Sequence, residues 1–565
     1  MTILDAHTVA PQAQIKADVC IVGAGAAGLA LAREFIGSRY SVVVLESGGL
    51  QSDRATQALY DIDTVGHPLR IEQGYVSRNR YFGGSTNTWG GRCIPLNTID
   101  FEARDWVSNS GWPFDRQALE PFYRQAARVL QLPDYGYFSP ERWRSKLLGP
   151  PTPGICGEEM VPEMALMGRS PIKMGRAYRR QLAAAPNLRI YLQANVTELE
   201  PNPTGTTVER LHVATLAGHR FKVGARTYIL ACGGWENARL LLDSTRHSPQ
   251  GLGNPYDVVG RYYMEHPKIL LGRIYPQADL LRSPAVLDYT RIAGGYGQLG
   301  LRLSDAQQRQ ARVLNHYLQL MPGFPMGLPE ARQTWQWVCS RAKRLRLDQI
   351  RPTDLRQVAP HLGQIGEYFL CRHLNRPIPY PYIDVFNHLE HAPNPASRVS
   401  LSRDRDALGS HRLQVDLRVT AQEKESLLQL HRLVDSQLQQ LGLGELVTPN
   451  LNPSADWPDL TDASHHMGTT RMGLHPRRSV VDPDGLVHGL SNLYITGSSV
   501  FPTGGHANPT LTLVALALRL AHHLQTVVLP KTASSSVGLD QAIAHAMADP
   551  SPHSPQGSIA PPLNP

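Results

Sequence analysis

The strongest constraint on the fold is a glycine-rich turn between two short apolar segments near the N-terminus. Residues 18–22 (DVCIV) predict a buried strand, residues 26–37 (AAGLALAREFIG) a helix, and residues 41–45 (SVVVL) a second strand. This order is a β-α-β unit, which places its two strands parallel in one sheet. The chain is therefore expected to contain an α/β domain with a parallel sheet.

The turn after the first strand has the spacing of a dinucleotide-binding turn. Residues 23–28 read GAGAAG, a G-x-G-x-x-G pattern that opens directly into the predicted helix. Its glycines permit a tight turn, close approach of a pyrophosphate, and close packing of helix on strand. Glu46 ends the second strand, where its carboxylate can accept hydrogen bonds from a ribose. Because strands, helix and acid occur together, we interpret the unit as a dinucleotide-binding site rather than an ordinary glycine-rich turn.

Length and composition define the class of protein. A chain of 565 residues exceeds what one hydrophobic core usually supports, so two or more packed units are expected. With 42% hydrophobic and 18% charged residues, the composition is globular. No window reaches the run of about 18 apolar residues that a membrane-spanning helix needs, so no membrane span is predicted.

The cysteines and the N-terminal residues bear on location. The six cysteines are scattered and contain no Cys-x-x-Cys pair, which argues against a zinc site and a disulfide framework. Residues 1–16 lack the basic and then apolar order of a secretory signal. The sequence therefore predicts reduced thiols, a cytoplasmic location and no metal site.

The net charge of +8 raises the question of a nucleic-acid partner. The positive charge is mostly arginine, is spread widely, and accompanies no recognisable nucleic-acid module, so we predict no such partner. A denser basic stretch covers residues 332–376. A solvated helical face is the simplest interpretation, and an anionic partner or a membrane surface are the alternatives.

Three later segments also carry motifs. Residues 81–92 (YFGGSTNTWGGR) form a glycine-rich loop whose backbone amides can approach a flat ligand or a phosphate. Residues 465–473 read HHMGTTRMG, and residues 493–512 read LYITGSSVFPTGGHANPTLT. We expect a strand over 493–496 and a largely buried helix over 509–524.

The rest of the chain gives a coarser prediction. Short alternating runs in residues 188–230 predict strands, and residues 421–443 predict an amphipathic helix. The end of the chain, from about 528 to 565, turns to Pro, Ser and Ala. It is predicted to be disordered apart from a short helix near 539–547.

The order of the motifs resembles the glucose–methanol–choline (GMC) oxidoreductase family. That order is a G-x-G-x-x-G turn, a GG-S-x-N loop, an H-x-x-G-T segment and a late N-P-T helix. Segments 229–242 (ILACGGWENARLLL) and 259–267 (VGRYYMEHP) agree with it. The Asn-Pro-Thr-Leu-Thr sequence is most similar to the pyranose oxidase-like branch. The resemblance touches about half of the chain.

The resemblance implies an α/β fold with two domains. A Rossmann-like FAD-binding domain would be assembled from separated segments, residues 16–114, 195–267 and 460–527. An α+β substrate-binding domain with a mostly antiparallel sheet would come from residues 115–194 and 268–459.

The resemblance also implies the site residues. His465, in H-x-x-G-T, and Asn508, in N-P-T, occupy the positions of the family's two active-site residues. The implied cofactor-binding residues are Gly23, Gly25, Ala26, Ala27, Gly28, Glu46, Ser47, Gly83, Gly84, Ser85, Asn87, Thr88, Trp89, Val196, Gly497, Ser498, Asn508, Pro509 and Thr510.

Alcohol oxidation suits this pair of side chains. A neutral imidazole can take the hydroxyl proton, and an amide can hold the hydroxyl oxygen so that its C–H faces the flavin. The positive end of the helix beginning at Pro509 could stabilise negative charge on the reduced flavin. Asn508 followed by proline is equally a favourable helix start, and His465 could be a buried core histidine. His466 and His506 are expected to pack or to contact substrate.

The sequence departs from the family at two places. Some relatives attach FAD covalently through a histidine just before the Trp of the GG loop. Thr88 stands there, so FAD is expected to bind non-covalently. Gly497 and Ser498 stand where many relatives have an acidic residue, and their backbone amides are expected to replace it.

The predicted function is FAD-dependent oxidation of an alcohol, on a sugar, a glycoside or another polyol, to a carbonyl, with His465 as base. A tailoring oxidase of secondary metabolism falls within that prediction. The alternatives are a non-redox lyase or a flavin photoenzyme on the same scaffold, or a flavin-binding module without catalysis. The electron acceptor stays open among oxygen, a quinone and a redox protein.

Overall fold

The architecture is taken from a computed structural model of the chain. The structure describes residues 2–66, 77–139, 142, 159–278, 281, 288–323, 328–343, 347–374, 376–377, 380–449, 457 and 460–530. The predicted C-terminal tail lies outside the described residues from position 531 onward, and so does the short helix predicted near 539–547.

Among the described residues, eight strands form a first sheet. They are β1 (Ile3–Asp5), β2 (Gln14–Val22), β3 (Val42–Leu45), β6 (Leu188–Leu192), β7 (Asn195–Pro201), β8 (Val208–Ala214), β9 (Arg220–Leu230) and β18 (Leu493–Ile495). Their order is β1-β6-β3-β2-β9-β8-β7, and β18 pairs with β9. All pairs from β1 to β9 in that order are parallel, as is β9 with β18, whereas β7, β8 and β9 run antiparallel. The Rossmann-like prediction is confirmed.

Within the same ranges, seven strands form a second sheet in which every pair is antiparallel. They are β5 (Met160–Gly168), β10 (Lys268–Pro276), β11 (Thr290–Ile292), β12 (Gly295–Leu303), β13 (Tyr317–Gly323), β14 (Tyr382–His388) and β17 (Gly444–Val447). A three-stranded sheet joins β4 (Ile62–Gly66), β15 (Arg398–Arg405) and β16 (His411–Leu417). The prediction of a mostly antiparallel second sheet is confirmed.

The α-helices of the described chain are α1 (Ala26–Glu34), α2 (Arg54–Ala58), α3 (Thr98–Phe101), α4 (Glu120–Val129), α5 (Met174–Ala183), α6 (Glu236–Asp243), α7 (Asp305–Ala311), α8 (Leu328–Lys343), α9 (Pro352–Val358), α10 (Leu362–His373), α11 (Ala421–Gln440) and α12 (Pro509–His523). The predicted amphipathic helix is α11, and it ends three residues earlier than expected. In the basic stretch 332–376, Arg351 and Arg356 are exposed, as a solvated face requires.

Helix α12 is long and strongly apolar. Together with its continuation to Val528, it is long and apolar enough, by length and composition alone, to cross a membrane. The sequence analysis expected no segment of this kind, and by length and composition that expectation is wrong. In the structure α12 packs against α1 and α4, and most of its side chains are buried. This burial accounts for its apolar composition, because a helix that is hydrophobic all round belongs in a protein core as well as in a membrane.

The sheets do not follow the predicted segments at every point. Strand β6 lies in the first sheet, although it falls in segment 115–194, which the resemblance assigns to the substrate-binding domain. Strand β4 falls in segment 16–114 and pairs in parallel with β16, from segment 268–459. The chain therefore crosses from one sheet to another at residues other than the predicted segment boundaries. The division into domains stays a prediction.

Candidate active site

A cavity of about 620 Å³ lies where β2, β3, β9 and β18 end. Ligands of open α/β sheets bind at the carboxyl ends of the strands, so the position is that of a cofactor site. The second sheet contributes Lys268, Gln319, Phe386 and His388 to the cavity wall. The predicted residues that line it are Gly23, Gly25, Ala26, Ala27, Glu46, Ser47, Gly84, Ser85, Thr88, Trp89, Val196, His465, Gly497, Ser498, Asn508, Pro509 and Thr510.

The glycine turn between β2 and α1 has the geometry that its spacing predicts. Gly23 has a φ of +98°, and a Cβ there would lie 2.7 Å from the carbonyl oxygen of Ala231. A Cβ on Gly28 would lie 1.9 Å from the carbonyl oxygen of Gly23, so this glycine serves packing and does not line the cavity. A Cβ on Gly25 would meet no atom within 4 Å and would project at the cavity. Of the three glycines of this turn, Gly25 is therefore the one that leaves space for a ligand.

Glu46 ends β3 beside this turn. Its Oε2 accepts a hydrogen bond from the N–H of Ala24 at 2.8 Å, and its Oε1 accepts one from the N–H of Gly48 at 2.9 Å. Burial raises the pKa of Glu46, and the two backbone N–H groups act in the opposite direction. Glu46 therefore also fixes the turn, and its oxygens keep lone pairs for the ribose that the sequence predicts there.

The GG loop contacts the cavity through only some of its predicted residues. Gly84, Ser85, Thr88 and Trp89 line the wall. Gly83 and Asn87 do not line it. The Asn87 Nδ2 donates to the carbonyl oxygens of Phe82 and Gly84, at 3.1 and 2.9 Å. Asn87 thus holds the loop in shape from behind.

The wall also carries a buried ionic cluster. Arg78 and Arg239 donate to the carboxylate of Glu236 at 2.8 and 2.7 Å, and Arg80 lies 3.5 Å from it. Asp406 accepts from Arg239 at 3.4 Å and does not line the cavity. Three arginines against two carboxylates leave an excess of positive charge.

The site fits the FAD that the resemblance implies. Space beside Gly25 lies at the N-terminus of α1, where backbone N–H groups and the helix dipole favour a phosphate. Gly497 also leaves space at the cavity wall, because a Cβ there would meet no atom within 4 Å. The side chain of Ser498 donates to the carbonyl oxygen of His466 at 2.6 Å, so only its backbone remains for the predicted contact.

Asn508 immediately precedes α12 at the cavity wall. It occupies the N-cap position, but its side chain makes no capping hydrogen bond. Its Oδ1 accepts from Nη1 of Arg92 at 3.0 Å, and its Nδ2 lies 3.3 Å from Nε2 of His465. Both interpretations of Asn508 therefore apply. Its backbone occupies the N-cap position of α12, and its side chain contacts His465 in the site.

His465 is held from three sides. Its backbone N–H donates to Oε1 of Glu265 at 2.6 Å, and its Nδ1 lies 2.9 Å from Nδ1 of His266. Arginine has only N–H donors, so Oδ1 of Asn508 must face Arg92 and Nδ2 must face His465. The amide donates, so Nε2 of His465 carries a lone pair. The ring proton is then on Nδ1 and is donated to His266.

The electrostatics keep this histidine neutral. Burial, the neighbouring His266 and the ammonium of Lys268 hold the pKa of His465 well below its usual range. Burial also lowers the pKa of His266 to about 3, with His506 acting in the same direction. Burial and Asp462 raise the pKa of Glu265 to about 8, so this carboxyl is protonated at neutral pH. A neutral imidazole with its lone pair on Nε2 is the protonation state that a general base requires.

The other two histidines differ in role. His466 lines the cavity and stacks on Trp235, with ring centroids 3.7 Å apart. His506 does not line the cavity. It stacks on Tyr317 and hydrogen-bonds to Glu163 at 2.7 Å. Burial would raise the pKa of Glu163, but His506 and Arg302 outweigh it and lower the value to about 2.

The sequence analysis left four residues of this arrangement unassigned. Arg92 is the last residue of the quoted GG loop, Glu265 and His266 lie inside VGRYYMEHP, and Lys268 follows that segment by one position. Three of them, Arg92, Glu265 and His266, are ionisable residues inside quoted segments, and this was an available signal. What the motifs could not give is the antiparallel pairing of Met264 with Met467 and of Lys268 with Thr461, which brings them to His465.

Comparison with known proteins agrees with the fold and with FAD as the cofactor. Residues 18–377 match the family described as FAD dependent oxidoreductase, and residues 393–517 match the family described as GMC oxidoreductase. The chain is 25% identical over 566 residues to 6'''-hydroxyparomomycin C oxidase of Streptomyces lividus, covering 90% of this chain and 92% of that protein.

Two further matches concern a part of the sequence and the fold. A stretch of 71 residues is 45% identical to C-glycoside 3-oxidase of Microbacterium trichothecenolyticum, covering 12% of this chain and 14% of that one. The fold is similar to that of pyridoxine 4-oxidase from Mesorbium loti, with a TM-score of 0.53 and 17% identity, covering 90% and 99% of the two chains. The chain therefore belongs to the FAD-dependent oxidoreductases and, within them, to the GMC family.

Proposed function

We propose that the enzyme oxidises an alcohol on a sugar, a glycoside or another polyol to a carbonyl, with His465 as the base and Asn508 as its partner. The observation that carries the proposal is the hydrogen-bonded chain from Arg92 through Asn508 and His465 to His266. At the cavity wall it places Nε2 of His465, which carries a lone pair, next to Nδ2 of Asn508, which carries N–H donors. An alcohol oxygen needs this combination, because it donates its own proton and accepts another group's hydrogen.

The reaction divides between the cofactor and these side chains. FAD, when bound, supplies a two-electron acceptor for the hydride of the carbinol carbon. The hydroxyl O–H bond breaks as Nε2 of His465 takes the proton, and the C–H bond breaks as the C=O bond forms. Nδ2 of Asn508 donates to the same oxygen while negative charge develops on it. The positive charge of Arg92, behind the amide, stabilises that oxygen further.

Helix α12 adds a second source of stabilisation. Its first residues, Pro509 and Thr510, line the cavity, and its side-chain cap is missing because Asn508 turns to His465. The positive end of the helix dipole therefore faces the site. Negative charge gained by the cofactor side of the reaction is stabilised there, as the sequence predicts.

The substrate class rests on similarity to relatives. The oxidases that resemble this chain are named for paromomycin-type compounds and C-glycosides. A glycoside modified in secondary metabolism is therefore our first choice of substrate. The acceptor that reoxidises the enzyme is oxygen, a quinone or a redox protein.

The test is an anaerobic titration of the purified protein. We expect an oxidised flavin band near ~450 nm that a sugar, glycoside or simple polyol bleaches. Admitting air then separates an oxidase, whose colour returns at once, from a dehydrogenase. A flavin band that no alcohol in the panel bleaches would contradict the proposal and favour a non-redox lyase or a photoenzyme. Absence of FAD after reconstitution would contradict both.

We also propose that FAD binds non-covalently. Thr88 lines the cavity at the position where a histidine would be needed for attachment. Acid precipitation of the protein is expected to release all flavin into the supernatant. Flavin that stays with the pellet would contradict this.

A cytoplasmic location is proposed as well. The five cysteines in the described ranges are all free thiols, as expected in a reducing compartment. Fractionation of the native cells checks this, and recovery of the enzyme from a membrane or an extracytoplasmic fraction would contradict it.

A further inference from the structure

Two cationic side chains lie at the part of the cavity that holds His465 and Asn508, which we call its reaction end. Lys268 and Arg92 both line the wall, and both are half-buried. In the part of the chain that the structure describes, neither forms an ion pair with a carboxylate, whereas Arg78, which also lines the wall, is paired with Glu236. Such uncompensated cations are costly to bury and therefore point to a ligand.

The lysine is placed beside the base by the backbone. Lys268 and Thr461 exchange two backbone hydrogen bonds, at 2.7 and 2.9 Å, and Met264 pairs with Met467. Because of these two pairings, the segment that contains His266 and Lys268 lies antiparallel to the segment that contains His465. Lys268 and Arg92 are among the groups that lower the pKa of His465, which agrees with their position around it.

Nearby carboxyls do not cancel this charge. Glu265 is protonated at neutral pH, because burial and Asp462 raise its pKa to about 8. Asp462 does not line the cavity, and its Oδ1 accepts from the N–H and the hydroxyl of Ser464. It can offset at most one of the two cations.

The carboxylates that do line the cavity are engaged elsewhere. Glu46 accepts from the N–H groups of Ala24 and Gly48. Glu236 is bound by Arg78 and Arg239. The described wall around His465 therefore has a surplus of positive charge.

We propose that the substrate carries an anionic group, a carboxylate or a phosphate ester, close to the alcohol that is oxidised, and that Lys268 binds this group. The substrate class is then a sugar acid, a uronide or a sugar phosphate. Arg92 contributes its charge, while its hydrogen bond is committed to Asn508. An ammonium group in the same place would be repelled. This inference rests on the proposed function and narrows it.

The test uses a series that differs only at one carbon. It starts from the neutral glycoside that bleaches the flavin best and replaces one of its CH₂OH groups by carboxylate, phosphate ester or aminomethyl. We expect kcat/KM for flavin reduction to be at least ~10-fold higher for an anionic member than for the neutral one, and lowest for the amine. A preference for carboxylate over phosphate, or the reverse, identifies the anion.

Variants assign the effect to Lys268. Lys268→Met is expected to remove the preference for the anion, because KM rises more for the anionic members of the series than for the neutral glycoside. Lys16→Met, which removes an exposed lysine, is the control of equal net charge. Calorimetry of the same compounds with the His465→Ala protein measures their binding without turnover and should show the same order.

Two outcomes would overturn the inference. One is equal kcat/KM and equal binding across the charged series. The other is an equal loss for all members in Lys268→Met, which would mean that the lysine acts on the cofactor or the fold. Both leave the proposed function intact, because the neutral glycoside still bleaches the flavin. Failure of every alcohol to bleach it would instead contradict the proposed function.

Discussion

The two ends of the cavity are built in different ways. The cofactor end is formed by backbone from contiguous motifs, the turn 23–28, the GG loop and the start of α12. The reaction end is formed by side chains from segments far apart in the chain, among them Arg92, Lys268, His465 and Asn508. A backbone cradle needs glycines at fixed spacing and so leaves a local sequence pattern. A converging set of side chains needs only the correct pairing of strands and segments, and leaves none.

The largest expected effect breaks the backbone cradle. Gly28→Ala would put a Cβ 1.9 Å from the carbonyl oxygen of Gly23, and neither atom can move without opening the turn. We expect a protein that retains no FAD, measured as the ratio of flavin to protein absorbance. Gly224→Ala is the control, because its Cβ would lie 3.8 Å or more from any neighbour. Stoichiometric flavin in Gly28→Ala would show that the cradle tolerates a side chain.

The next effect removes the base and leaves the cradle intact. His465→Ala should lower the rate of flavin reduction by about 10²–10⁴-fold, the usual contribution of a general base, with FAD retained. Stopped-flow spectroscopy under anaerobic conditions measures the rate. His475→Ala, at an exposed histidine ten residues later, should leave it unchanged. A rate within about threefold of the wild type would remove His465 from the mechanism.

A smaller effect tests the orientation of the amide. Arg92→Met frees Asn508 to turn its oxygen toward His465, because the 3.0 Å hydrogen bond that fixes it is lost. We expect kcat for a neutral glycoside to fall by roughly 10–10²-fold, with KM changed less, since the charge-assisted contact is felt at the developing alkoxide. Arg92→Lys should restore part of the rate. A raised KM with an unchanged kcat would instead mean that Arg92 acts in substrate binding only.

The smallest effect concerns stability and pH. The folded-state pKa of Glu265 is raised to about 8, so its protonated form stabilises the fold. That contribution is fully present below about pH 4.5, decreases as pH rises, and is lost above about pH 8. Glu265→Gln keeps an oxygen for the N–H groups of His266 and His465 but does not titrate. The melting temperature of Glu265→Gln minus that of the wild type should therefore increase from pH 5 to pH 8.5. A constant difference would contradict a raised pKa.

Secondary structure followed from the sequence wherever one pattern dominated. The strand Val42–Leu45, the helix from Ala26 and the late helix from Pro509 lie where apolar runs and flanking glycine or proline predict them. Helix α1 ends at Glu34, three residues before the predicted end, because Phe35 and the following turn leave the helix ahead of Gly37. Ends of elements depend on local hydrogen bonds, which the apolar pattern does not record.

The site was predicted in part, for a related reason. Residues with a role for the backbone, such as Gly25 and Gly497, lie on the cavity as expected. Asn87 and Gly83 lie behind the loop, since position in a motif does not tell which side chain faces the ligand. His266 and Lys268 were not recognised, because the segment that carries them lies about two hundred residues before His465 in the chain.

The sequence alone predicted the parallel sheet and the glycine turn, because spacing and residue type fix a backbone turn. The pair His465 and Asn508 followed from the resemblance of the motifs to a known family. Only the tertiary structure decided which atoms of that pair face each other. Arg92 orients the Asn508 amide, and His266 accepts a hydrogen bond from Nδ1 of His465, through contacts between segments that the sheets bring together. The surplus of positive charge around the base has the same origin, since charge in a cavity is a sum over residues that meet only after folding.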